Sequence, residues 1–191
     1  MSVIVKAAAA LPLIVNDATP EIFRATDNAG QPTIPCILSI PGSASHDHRP
    51  FNVVVSGTVR ARTPGELTLW LLGLSHDTRN PEELTDESVW SKVIISMPEP
   101  IGGDDDLPET MWLIVGTRLM YSTISGKMQG TFLTNIADSP EPEEGISTNL
   151  YNIAPGDDPA IRFAVAASFV PTGEETGNIA TLEIYQFNME D

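Results

Sequence analysis

Prolines and glycines set the tempo of this chain. Sixteen prolines and fourteen glycines are spread along its 191 residues, and the apolar runs between them recur about every ten to fifteen residues. No long stretch carries the i, i+3, i+4, i+7 spacing of a surface helix. Alternation dominates instead. In "FNVVVSGTVRAR" (51–62), Val53, Val55, Gly57 and Val59 fall on one face and Asn52, Val54, Ser56 and Thr58 on the other. Short loops between such runs suit antiparallel strands.

The candidate strands are "TIPCILSI" (33–40), 51–62, "GELTLWLLGL" (65–74), "VWSKVIISM" (89–97), "ETMWLIVGTRLMYS" (109–122), "GKMQGTFLTNI" (126–136), "STNLYNI" (147–153), "AIRFAVAASFV" (160–170) and "NIATLEIYQFNM" (178–189). Pro35 marks the first as an edge strand. "STISG" reads as a hairpin loop, with Gly126 available for positive φ. One or two helical turns are expected near "PEELTDESV" (81–89). These elements predict an all-β fold, an antiparallel β-sandwich of jelly-roll type, with an up-and-down barrel as the alternative.

Residues 1–30 read differently. "MSVIVKAAAALPLIV" has one Lys and an apolar run, is too short to span a bilayer, and lacks a clean cleavage site after it. The segment is expected to be an extended N-terminal arm, with residues 31–191 as a single sandwich domain. An apolar arm needs a surface, either its own sandwich or a neighbouring subunit. Its contact set is Val3, Ile4, Val5, Leu11, Leu13, Ile14, Val15, Ile22 and Phe23, and its removal is expected to leave the sandwich folded.

Charge narrows the partners. With 26 acidic and 10 basic residues, the formal net charge is −16. Nucleic-acid binding draws on Lys and Arg to neutralise phosphates, so neither nucleic acid nor an anionic membrane is an expected partner. The single cysteine, Cys36, excludes an internal disulfide and reads as a small buried hydrophobe.

Two aspartate clusters raise the question of a metal. Asp104, Asp105 and Asp106 are contiguous in "IGGDDDLPE", and Asp157 and Asp158 follow Gly156 in "PGDDPA". Calcium loops alternate their acids so that the oxygens converge, whereas contiguous carboxylates diverge and repel. Both clusters read as solvated turns. His46 and His48 in "SHDHRP", with His76, are the remaining metal candidates, but they lack a recognised ligand spacing and read as loop histidines. No G-x-S-x-G elbow or Gly-rich phosphate loop occurs. No cofactor is expected. Trp70, Trp90 and Trp112 lie in apolar strands and read as core fillers.

Two stretches carry a resemblance. "TMWLIVGTRLMYSTISGKMQGTFLTNI" has a Trp-bearing strand that runs through a Ser-Gly-Lys turn into its partner. "IRFAVAASFVPTGEETGNIATLEIYQFNMED" has an F-x-V-x-x-x-F strand, a small polar loop and an alternating closing strand. Together they resemble jelly-roll capsid decoration (cement) proteins of tailed bacteriophages, over about half the chain. The resemblance implies a non-enzymatic virion structural protein on the capsid surface. It would bind the major capsid protein or another virion protein, stabilise the assembled shell, and act as a homotrimer with the arm as its docking element. A carbohydrate-binding or adhesin-type sandwich is the alternative, and it would display exposed aromatics.

Overall fold

The computed structural model describes residues 3–15, 18–26, 29, 31, 34–40, 50–74, 89–97, 109–122, 127–136, 151–152, 161–172 and 180–190. The long strands follow the alternation closely. They are β7 (Phe51–Ala61), β8 (Gly65–Leu74), β9 (Val89–Met97), β10 (Glu109–Ser122), β11 (Lys127–Ile136), β13 (Ile161–Pro171) and β14 (Ala180–Glu190). Short strands complete the described set: β1 (Val3–Lys6), β2 (Leu13–Val15), β3 (Glu21–Ile22), β4 (Arg24–Ala25), β5 (Ile34–Pro35), β6 (Ile37–Ile40) and β12 (Tyr151–Asn152). Every pairing is antiparallel. The expected turns of helix at 81–89 lie, save for Val89, outside the described residues.

The larger sheet runs β1-β14-β7-β10-β11-β12, with β2 also on β14. The smaller runs β3-β13-β8-β9, with β6 also on β13. The first two long strands thus pair, in nested order, with the last two: β7 with β14, and β8 with β13. A ribbon folded back on itself in this way is the jelly-roll arrangement of an antiparallel sandwich.

The core lies between the inward rows. Val53, Val55, Val59, Trp112, Ile114, Leu182, Phe187 and Met189 come from the larger sheet, and Leu67, Leu69, Leu71, Phe163, Val165 and Phe169 from the smaller. Each fully buried side chain of this size contributes about 1.5–3 kcal/mol. Trp112 is a core filler, as expected, and its indole Nε1 donates to no described residue, so its contribution is apolar area. Cys36 is buried, and its thiol donates to the Ala8 carbonyl at 3.2 Å. Trp70 is half-buried on the outer face of the smaller sheet, packed with Leu72, Ala164 and Ala166 in a separate cluster. The side chain of Trp90 lies outside the described residues.

The N-terminal segment lies on its own sandwich. β1 and β2 pair with the two ends of β14, while β3 and β6 pair with β13. Phe23 N–H donates to Val165 O at 3.0 Å, and Cys36 N–H donates to Phe23 O at 2.7 Å. The segment therefore crosses from one sheet to the other along one edge of the sandwich, and Val15, Phe23, Ala25, Cys36, Leu38 and Ile40 join the core. Residues 1–30 thus add strands and buried side chains to the sandwich on which they lie. An aromatic side chain from the segment occupies the interior, so removal opens a cavity.

Candidate functional site

The outer face of the larger sheet carries the residues that alternation leaves for solvent. On β7 these are Asn52, Val54, Ser56, Thr58 and Arg60. On β10 they are Glu109, Met111, Leu113, Val115 and Thr117. The ladder sets them side by side: Val115 with Val54, Leu113 with Ser56, Met111 with Thr58, and Glu109 with Arg60. Met111 is 60% exposed, while Leu113, Val115 and Val54 are half-buried. β10 is thus apolar on both faces. That pattern belongs to a strand covered on both sides.

A bulge in β14 adds an aromatic ring. Ile184 pairs with Gly57 and Gln186 with Ser56, so Tyr185 is the extra residue between them. Strict alternation would place Tyr185 and Phe187 on the same face. The bulge returns Phe187 and Met189 to the core and leaves Tyr185 outside, 56% exposed.

The Tyr185 hydroxyl ends in a polar cluster drawn from three strands. It accepts from Thr58 Oγ1 at 3.0 Å and donates to Glu109 Oε1 at 3.4 Å, long for such a bond. Arg60 donates twice to Glu109 Oε2, from Nη2 at 2.7 Å and Nε at 3.1 Å. The Arg60 hydrogen bond holds the Glu109 carboxyl below its ordinary value, with smaller help from Thr58 and Tyr185. The same bond and the Glu109 charge raise Arg60. Glu109 is therefore an ionised acceptor at neutral pH and Arg60 a fixed donor. Such a face can stack, accept and donate.

The nine residues expected in the arm's contact set are not gathered into one exposed surface. Val15 and Phe23 are buried, and they reach a partner only if the segment leaves its own sandwich. Val5, Leu11, Leu13 and Ile22 are half-buried, and Ile14 is exposed. Val3 and Ile4 belong to β1, with side chains outside the described set. Asp104, Asp105, Asp106, Asp157, Asp158, His46, His48 and His76 lie outside the described residues. Among the described residues, no three His, Cys, Asp or Glu side chains gather as a metal site. No described helix is long and apolar enough to cross a membrane.

Sequence reasoning missed Tyr185, Met111, Thr58, Arg60 and Glu109 as a group. One signal was present: β10 carries Met111, Leu113 and Val115 at alternate positions, opposite the row of Trp112 and Ile114.

No protein-family model matches the chain, and no curated protein matches it. Among solved structures it is similar to the winged bean acidic lectin complexed with methyl-α-D-galactose, at 9% identity over 94% of this chain and 97% of that one, with a TM-score of 0.35. It is similar to the botulinum neurotoxin serotype G binding domain structure, at 10% identity over 98% of this chain and 47% of that one, with a TM-score of 0.35. It is also similar to the Bauhinia forficata lectin in complex with GalNAc, at 13% identity over 95% and 98%, with a TM-score of 0.27. Likenesses at this level assign neither family nor function.

Proposed function

We propose that this protein is a non-catalytic binding protein whose working surface is the outer face of its larger sheet. The observation that carries the reading is the row Met111, Leu113 and Val115 on β10, with Met111 60% exposed on the ladder position opposite Thr58, whose hydroxyl bonds that of the exposed Tyr185. A large apolar side chain on an open sheet face gains by contact with another surface, at about 25 cal/mol per Å² of apolar area before ordering costs. Polar groups at the Arg60–Glu109 end would give such contact a fixed orientation.

The specific form we propose is docking on an assembled capsid as a homotrimer. What supports it is the resemblance carried by residues 109–136 and 160–189, which supply β10, β11, β13 and nearly all of β14. Light scattering tests the oligomer, since three chains of 20.6 kDa give about 62 kDa. Co-sedimentation with tailed-phage capsid shells tests the docking. Binding that is lost in Met111→Arg supports the reading. Binding unchanged in that variant removes the face from it, and protein that pellets with no shell ends the decoration form.

A further inference from the structure

We infer that Tyr185, Thr58, Arg60, Glu109 and Met111 form a subsite for a neutral pyranose sugar; this deepens the reading of the outer face as a binding surface and rests on it. The argument begins with strand order. β14 and β10 are separated by β7, and neighbouring strands lie about 4.8 Å apart. The hydroxyl of Tyr185, a residue of β14, nevertheless meets Thr58 Oγ1 on β7 and Glu109 Oε1 on β10. The side chain must lean across the sheet over β7 rather than stand upright into solvent. Thr58 confirms the direction, since it occupies an outward position on β7 yet is only 4% exposed. One side of the ring therefore faces the sheet and the other faces solvent.

The placement is built into the backbone. Tyr185 is the extra residue of a β-bulge, the device by which a strand re-aims one side chain. The ring is then fixed at its far end by two hydroxyl contacts. A fixed ring loses little freedom when a ligand stacks on it.

The surroundings select the ligand. A pyranose has an apolar C–H face, which an aromatic ring covers, and an equatorial rim of hydroxyls that donate and accept. Here the ring is bordered by the ionised carboxylate of Glu109 and the guanidinium of Arg60, one acceptor and one donor held together at 2.7 Å. Met111, on the ladder position opposite Thr58, adds an exposed apolar flank. An anionic ligand is disfavoured, because Glu109 and Glu183 lie close by and the chain carries a net charge of −16. The site is open on a sheet face rather than enclosed, so a single copy binds weakly, and several copies on one surface bind by avidity.

Saturation-transfer NMR with the full chain and a panel of methyl pyranosides, those of glucose, galactose, mannose and N-acetylglucosamine, tests this. The expected result is transfer to at least one of them, with affinity reduced roughly tenfold or more in Tyr185→Ala. Tyr185→Phe is expected to bind more weakly than the native protein but more tightly than Tyr185→Ala, because the ring remains and loses the two hydroxyl contacts that hold it. Transfer that survives unchanged in Tyr185→Ala, or no transfer from any pyranoside, overturns the subsite. Far-UV circular dichroism of each variant excludes unfolding as the cause of a loss. If the sugars fail while Met111→Arg still abolishes shell docking, the subsite falls and the wider reading of the face stands. If Met111→Arg leaves shell docking intact while Tyr185→Ala loses the sugar, the subsite stands without the docking reading.

Discussion

Gly57 leaves the space that the indole of Trp112 fills. The two residues are cross-strand partners, and a Cβ at Gly57 would come within 2.6 Å of Trp112 Cζ2 while colliding with the carbonyl oxygen of Glu183. The ring could shift, but the carbonyl belongs to the strand backbone at the start of the β14 bulge. Gly57→Ala is therefore expected to cost about 3 kcal/mol, the upper end for overpacking. Urea unfolding checks this, with a lowered midpoint at unchanged slope. A cost under about 1 kcal/mol would mean that the bulge relaxes freely.

Phe23 and Ile14 belong to the same N-terminal segment but differ in depth. Phe23 is fully buried and Ile14 is 45% exposed. Phe23→Ala is expected to lose about 3–5 kcal/mol, and Ile14→Ser to change stability by less than about 0.5 kcal/mol. Equal and small effects by thermal unfolding would show that the segment does not seal the core in solution.

Arg118 is the one described non-glycine residue with positive φ, at 51°. It sits where the register of β10 shifts against both neighbours, and its N–H donates to Asn52 Oδ1 at 3.1 Å. The left-handed conformation costs an L-residue about 1–2 kcal/mol, more than glycine's entropic cost of about 0.5–1 kcal/mol. Arg118→Gly is thus expected to stabilise slightly, and Arg118→Val to destabilise. Denaturant midpoints of the two variants check the order.

The Arg60–Glu109 pair has a defined pH signature. The folded carboxyl of Glu109 titrates below its ordinary value of 4.5, so the pair's stabilisation is present above that value and lost as pH falls through the folded value. Sugar binding at Tyr185 should follow the same course, constant around neutral pH and falling only in acid below the ordinary carboxyl value of 4.5. In Glu109→Gln this acid limb should disappear. NMR titration of the Glu109 side chain, alongside binding, checks both statements.

Burial pushes the Cys36 thiol up to about 11. The native protein should resist thiol reagents near pH 8 and react once unfolded, because the thiolate is the reactive form. The sign for stability is opposite to that of Glu109. Cys36 stabilises the fold below the ordinary thiol value of 9.0, and that contribution fades as pH rises towards 11.

Much of the architecture was legible because alternation with a period of two is a direct readout of a sheet's two faces. β7, β8, β9, β10 and β11 fall within a residue or so of the runs read from sequence. What escaped was set by backbone irregularity and by tertiary pairing. "LEIYQF" alternates without a break, and no residue type in it announces the bulge that turns Tyr185 outward and Phe187 inward. Nor does "EIFRA" reveal that Phe23 enters a core made by strands more than a hundred residues later, since that depends on where β13 lies. The Arg60–Glu109–Tyr185 cluster was illegible for the same reason, as its members meet only through the strand order β14-β7-β10.

The strand nearest the start of the chain is matched to the one nearest its end: Val3 pairs with Glu190 and Lys6 with Asn188. On the ribosome, Phe23 is made early, but the Val165 carbonyl that receives its amide is made some hundred and forty residues later. Vectorial synthesis therefore leaves the apolar opening segment without its seat until β13 and β14 emerge. Such non-local closure is slow, and an unsealed sandwich edge invites pairing with other chains. The acidic excess lies beyond residue 74, where 21 acidic residues stand against 5 basic, and it gives nascent copies a mutual repulsion once that stretch has been made. In this protein, charge that does nothing for the finished core guards the route to it.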